Sequence, residues 1–202
     1  MKEALLVIDV QNEYFTGKLP VTHPVGSLDN ILRAMDWASE CHLPVVVIRH
    51  TNAAPEAVTF RKGTPGWELH NEIKRRHADV IIEKTLPGSF TGTVLENWLQ
   101  ERSIATLTIA GYMTQMCCDT TARQAFHRNY AVNFLADATG TLDIANHAGS
   151  IGAAELHSAT LITQQQRFAC VMTTDEWIRE SQSGKEIIRK SAPVTNGSEI
   201  QY

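Results

Sequence analysis

Short, largely apolar runs recur along the chain, and each stops at a polar residue or a glycine. Residues 4–8 stop at Asp9, residues 44–48 at Arg49 and His50, and residues 80–82 just before Lys84. Residues 105–110 stop at Gly111, residues 130–135 before Asp137, and residues 168–172 form a sixth run. Runs of this length suit strands covered on both faces, as in a parallel sheet. Helical spacing fills the gaps between them. Leu28, Ile31, Leu32 and Met35 share a face, as do Val94, Leu95, Trp98 and Leu99, and so do Thr121, Ala122, Ala125 and Phe126; residues 148–159 are expected to form a further helix. This alternation predicts an α/β protein, a three-layer α/β/α sandwich around a six-stranded, mostly parallel, Rossmann-like sheet. Residues 51–66, rich in Pro, Gly, Thr and Ala, read as a long loop after the second strand, with Trp67 at its end in a lid or an interface. Residues 181–202 are polar and are expected to form a C-terminal tail that packs on a neighbouring subunit.

The length of 202 residues fits one domain, expected over residues 1–180, large enough to bury its own core. Lys and Arg total 18 against 22 Asp and Glu, a net charge of −4, so no nucleic-acid partner and no acidic membrane surface is expected. No run approaches the ~18 apolar residues of a membrane span, and residues 4–8 are too few for a signal-peptide core. Cys41, Cys117, Cys118 and Cys170 form neither a disulfide framework nor a CxxC pair, which points to free thiols in a reducing, cytoplasmic setting.

In an open parallel sheet, ligands bind beyond the carboxyl ends of the strands. Those ends carry Asp9, His50, Lys84 and Gly111, with Cys117 following in the segment that opens a helix. A thiol in a first helical turn feels the positive end of the macrodipole, and a lysine beside it would also lower its pKa. Asp9 would then move the thiol proton. Each residue has a plainer role as well: Asp9 as a turn cap, Lys84 as a solvated cation beside Glu83, Cys117 as a small buried hydrophobe. Helical geometry separates Cys117 and Cys118 by about 100°, so one of the two faces the cleft, and position alone does not say which.

Three blocks resemble the isochorismatase-like cysteine hydrolases, a family that includes nicotinamidases, N-carbamoylsarcosine amidase and ureidoacrylate amidohydrolase. They are ALLVIDVQNEYF with Asp9, EKTLPGSFTGTVLENWL with Lys84, and IAGYMTQMCCDTTARQA, where the family's nucleophile falls on Cys117 and its usual Val on Cys118. The resemblance runs from about residue 4 to Trp177. It implies a catalytic triad of Asp9, Lys84 and Cys117. It also implies a non-proline cis peptide in the Gly111-Tyr112-Met113 turn and an oxyanion hole from the Met113 and Cys117 backbone amides. It implies a homo-oligomer, a dimer or larger, and no cofactor. Nicotinamidases carry a metal site with an Asp-x-His after the second strand; this chain has Arg49-His50-Thr51 there, so no metal is expected.

The function expected is hydrolysis of a C–N amide-type bond in a small molecule through a thioester. The alternatives are a vinyl-ether or ester hydrolase of the same fold and a thiol redox protein. A dinucleotide oxidoreductase would need GxGxxG after the first strand, where this chain has Asp9-Val-Gln-Asn-Glu. Gln11, Phe15, His50, Asn52, Phe90, Tyr112 and Met116 are expected to line the substrate pocket, the aromatics serving equally well as core.

Overall fold

The computed structural model of the chain describes residues 2–183. Its strands are β1 (Lys2–Ile8), β2 (Val45–His50), β3 (Val80–Lys84), β4 (Ile104–Tyr112), β5 (Ala131–Gly140), β6 (Ile144–Asn146), β7 (Gly149–Ile151) and β8 (Cys170–Met172). Its helices are α1 (Ser27–Glu40), α2 (Asn71–Lys74), α3 (Leu95–Glu101), α4 (Asp119–His127), α5 (Ala153–Thr163) and α6 (Thr174–Ser183). Six strands form one sheet in the order β3-β2-β1-β4-β5-β8, and every neighbouring pair is parallel. β6 and β7 form a separate antiparallel hairpin.

The unbroken apolar runs are explained by burial on both faces. Along β1, Leu5 and Val7 pack with Ile31, Ala34, Met35 and Ala38 of α1 and Trp177 of α6. Ala4, Leu6 and Ile8 pack on the other side with Leu95 and Leu99 of α3 and Ala122 and Ala125 of α4. Each of the Leu, Ile, Val and Met side chains, removed from water, contributes about 1.5–3 kcal/mol, and each alanine methyl roughly 0.8 kcal/mol. The sheet order reverses between β1 and β4, because β2 and β3 extend one way and β5 and β8 the other. That reversal opens a crevice beyond the carboxyl ends of β1 and β4. The two strands lie very close there. Gly111 sits at φ +118°, and a Cβ on it would come within 2.0 Å of the Ile8 carbonyl oxygen, so only glycine fits.

Two expectations are corrected. Residues 148–159 are not one helix: 149–151 belong to the hairpin and α5 begins at Ala153. Gly149 takes φ +142°, an Asx turn runs from Asn146 Oδ1 to the Ala148 N–H (2.9 Å), and Asp143 Oδ1 accepts the Ala153 N–H (2.7 Å) at the helix start. β5 continues past its apolar run to Gly140, pairing Thr139 and Gly140 with Gly111 and Tyr112. Trp67, expected in a lid or an interface, is buried at the end of its own loop. Its indole donates to Thr51 Oγ1 (2.7 Å) and Arg49 lies 3.8 Å over its ring, so it closes the two ends of the 51–66 loop together. Residues 181–183 complete α6; the expected packing of the remaining tail on another subunit lies outside the described residues. Among the described residues no helix is long and apolar enough to cross a membrane.

Candidate active site

Asp9 is the residue at which β1 ends, and it takes φ +53°, a left-handed conformation that aspartate tolerates better than most side chains. Lys84 closes β3, and His50 closes β2 directly beside it in the sheet register. Cys117 comes from a wide π-helical turn, Thr114–Cys118, between β4 and α4. Turns of this kind concentrate at functional sites. The Tyr112–Met113 peptide that leads into it is cis.

These elements bring Asp9, Lys84 and Cys117 together. The Lys84 ammonium lies 2.7 Å from Asp9 Oδ2 and donates to Cys117 Sγ at 3.2 Å. It also donates to the Leu86 carbonyl at 3.2 Å and to His50 Nδ1 at 3.4 Å. The side chains of Lys84 and Asp9 are both fully buried. The Asp9 carboxylate is therefore held by the Lys84 ammonium on one side and has the Cys117 thiol as its other neighbour. Cys118, one position on, is fully buried in the core.

The electrostatics differ from the sequence expectation at the thiol. Burial pushes the Cys117 pKa up, the Asp9 charge pushes it the same way, and Lys84, which opposes both, does not outweigh them. The sulfur therefore rests as a thiol, not as a thiolate. For Lys84, burial acts to lower the pKa, but the Asp9 carboxylate prevails and raises it, so the ammonium persists. His50 is lowered, first by burial and then by Lys84, with Asp9 acting against them. Its neutral ring is the form that accepts a hydrogen bond from Lys84.

The seven side chains expected to line a pocket separate into groups. Gln11 is fully buried and bridges two segments: its amide donates to the carbonyls of His50 (2.9 Å) and Trp67 (2.7 Å) and accepts the His50 N–H (2.8 Å). Tyr112 is buried on the α1 side, with its hydroxyl 3.0 Å from Ser27 Oγ. The Phe90 ring packs against Tyr130 at 5.9 Å and carries Arg128 over its face. These three brace the site from behind, their polar atoms and ring faces occupied within the fold. Asn52 is engaged in a local turn, accepting the Ala54 N–H at 3.1 Å. Phe15 is half-buried between His70 and Tyr112, His50 is half-buried beside Phe60, and Met116 is exposed on the turn that carries Cys117. Phe15, His50 and Met116 are the ones left on the open side.

Sequence reasoning missed His157 of α5. It is buried, with Nε2 3.0 Å from the Ala136 carbonyl and Nδ1 2.9 Å from Thr114 Oγ1, at the start of the Cys117 turn. Burial and the nearby His23 push its pKa down to about 4, with the Ala136 carbonyl acting the other way. Sequence spacing carried no signal for it, since the helix was placed too early. Among the described residues no group of three or more His, Cys, Asp or Glu side chains is arranged to hold a metal ion. Arg49, where nicotinamidases place their acid, instead pairs with Glu83 at 3.3 Å. These residues do not fit that metal site.

An isochorismatase domain model matches residues 3–176. The isochorismatase family protein YddQ of Bacillus subtilis is 31% identical over 89% of this chain and 100% of its own length. Nicotinamidase 3 of Arabidopsis thaliana is 31% identical, covering 86% of this chain and 85% of its own. Among solved structures, an isochorismatase-family protein from Burkholderia xenovorans superimposes with a TM-score of 0.91 at 45% identity, over 94% of this chain and 92% of that one.

Proposed function

We propose that this chain, which belongs to the isochorismatase family of hydrolases, cleaves a C–N amide-type bond in a small molecule with Cys117 as nucleophile, Asp9 as proton carrier and Lys84 as the cation that holds the two together. The observation that carries this reading is the buried ammonium placed 2.7 Å from a carboxylate oxygen and 3.2 Å from a sulfur. The likeness to a nicotinamidase over most of both chains supports an amide as the scissile group.

The resting thiol shapes the mechanism. Asp9 takes the Cys117 proton as the sulfur attacks the carbonyl carbon, so charge is never left alone in the buried site. The backbone N–H groups of Met113 and Cys117 receive the developing oxyanion. Asp9 returns the proton to the leaving nitrogen, the C–N bond breaks, and a thioester remains. Asp9 then takes a proton from water as the water oxygen attacks the thioester; the C–S bond breaks, Asp9 returns that proton to the Cys117 sulfur, and the carboxylic acid leaves. No step needs a cofactor. Phe15, His50 and Met116 are the side chains proposed to meet the substrate. Gln11, Phe90 and Tyr112 support them from within. The same reading makes the protein a homo-oligomer acting in the cytoplasm, where four free cysteines stay reduced. A redox-sensor role is disfavoured by the buried thiol and its raised pKa, since sensors need an exposed, acidic thiol.

The test is ammonia release from a panel of primary amides and ureido acids, including nicotinamide and N-carbamoyl amino acids. Release that survives Cys118→Ala and disappears in Cys117→Ala is the expected result. Release lost in Cys118→Ala alone assigns the nucleophile to the neighbouring sulfur, and no release from any amide moves the activity to an ester or vinyl ether.

A further inference from the structure

We propose that His157 is a positioning residue that sets the aim of the Cys117 turn through the hydroxyl of Thr114. The inference rests on Cys117 being the nucleophile and extends that reading to a residue on the far side of the turn. A carbonyl oxygen only accepts, so the hydrogen bond to Ala136 requires the ring proton on Nε2 (3.0 Å). The neutral ring then has a bare Nδ1, which accepts the Thr114 hydroxyl proton at 2.9 Å. Both ring nitrogens are occupied, and the direction of each bond is determined.

Thr114 is fully buried and opens the turn. The backbone winds tightly at this point: the Met113 carbonyl accepts the N–H groups of both Met116 (3.1 Å) and Cys118 (3.2 Å). Met113 thus lies immediately before the tethered residue, and Cys117 three positions after it. A tether on Thr114 controls the rotation of the whole turn, and with it the sulfur and both proposed oxyanion donors. The imidazole is itself clamped. The His23 ring packs edge-on at 5.2 Å, and the His23 backbone is bonded to Thr141 just past the end of β5. The device therefore joins α5, β5 and the loop before α1 to the nucleophile turn. An apolar side chain would fill the same buried space without requiring two aligned partners, so the polar choice at this place serves direction more than volume.

The experiment measures the chemistry of the sulfur separately from turnover. Wild type, His157→Phe, His157→Gln and Thr114→Val are each treated with iodoacetamide at one pH, and alkylation at Cys117 is followed by peptide mass spectrometry. kcat and KM are measured alongside on whichever amide the wild type turns over. Phenylalanine keeps the volume and removes both hydrogen bonds, whereas the glutamine amide can accept from Thr114 and donate to Ala136. His157→Phe and Thr114→Val are expected to lower kcat about 10- to 100-fold with KM within twofold, as a misplaced reacting atom does. The Cys117 alkylation rate changes in the same two variants, and His157→Gln recovers most of both. Wild-type kcat and Cys117 alkylation in folded His157→Phe would overturn the proposal; if that variant does not fold, the same result in Thr114→Val does so. A wild type inactive on every amide refutes the amidase reading and leaves the alkylation comparison to decide on His157.

Discussion

Strand β1 carries a carboxylate near each end, and the two sit in opposite surroundings. At its start, Glu3 Oε1 accepts from the Trp177 indole (2.8 Å), the Asn133 amide (3.3 Å) and the Thr108 hydroxyl. All three donors are neutral, and they come from α6, β5 and β4. Just past its end, Asp9 faces an ammonium, 2.7 Å from its Oδ2, and a thiol. The first carboxylate is satisfied and ties three elements together. The second is fully buried between one cation and one titratable thiol, the arrangement on which the proposed proton transfer rests. The same residue class on the same strand thus supports the fold at one end and supplies reactivity at the other, and the partners make the difference.

Mutations can break that contrast, and the largest effect is expected at the sulfur. Cys117→Ala should lower kcat on the amide found by the ammonia assay by about 10⁴-fold or more, as loss of a covalent nucleophile does, while the melting temperature stays near that of the wild type. Asp9→Asn should abolish most turnover as well, and it leaves the Lys84 ammonium buried without its counter-charge. Urea unfolding should then show a loss of roughly 3–5 kcal/mol, the usual cost of breaking a buried pair from one side.

A smaller effect concerns pH. The His157 pKa lies near 4 in the folded protein against 6.5 unfolded. The unfolded chain binds that proton first, so this contribution to stability is complete above about pH 6.5 and is lost as pH falls towards 4. At about 1.4 kcal/mol per pKa unit the difference of about 2.5 sets an upper bound of roughly 3.5 kcal/mol on that loss. Melting curves across this window should show the slope, and His157→Gln should flatten it, with His50 and His70 leaving a residue because both are lowered too. The smallest effect sharpens the comparison from the structural end. Glu3→Ala strands the indole, amide and hydroxyl donors and should cost roughly 1–3 kcal/mol in urea unfolding, with kcat within twofold of wild type.

How much of the site could be read from the chain varied with the kind of information each residue carries. Asp9 and Lys84 were visible because each follows an apolar run at a strand end, and parallel strands bring their carboxyl ends to one edge; position left Cys117 and Cys118 equal, and the family resemblance singled out Cys117. Gln11 and Tyr112 were legible as neighbours of that edge, yet not by orientation: a side chain near a site in sequence can turn its polar atoms into the fold, as both do. His157 was invisible because it approaches from α5, and the glycines and Asx turn of the β6–β7 hairpin shifted that helix from its expected start. The thiol was misjudged for a related reason. A helix terminus and a lysine both lower a cysteine pKa, and both were readable; the burial and the nearby carboxylate that outweigh them are products of folding.

By itself, then, the sequence determined the layered architecture, the parallel sheet and the edge at which reactive groups gather, since these follow from hydrophobic period and chain direction. Only the tertiary structure decided which way the side chains face, which charges share a dry pocket and what holds the nucleophile turn. Those properties depend on distances of about 3 Å between residues far apart in the chain: 33 positions separate Lys84 from Cys117 and 43 separate Thr114 from His157. Local pattern does not encode such contacts.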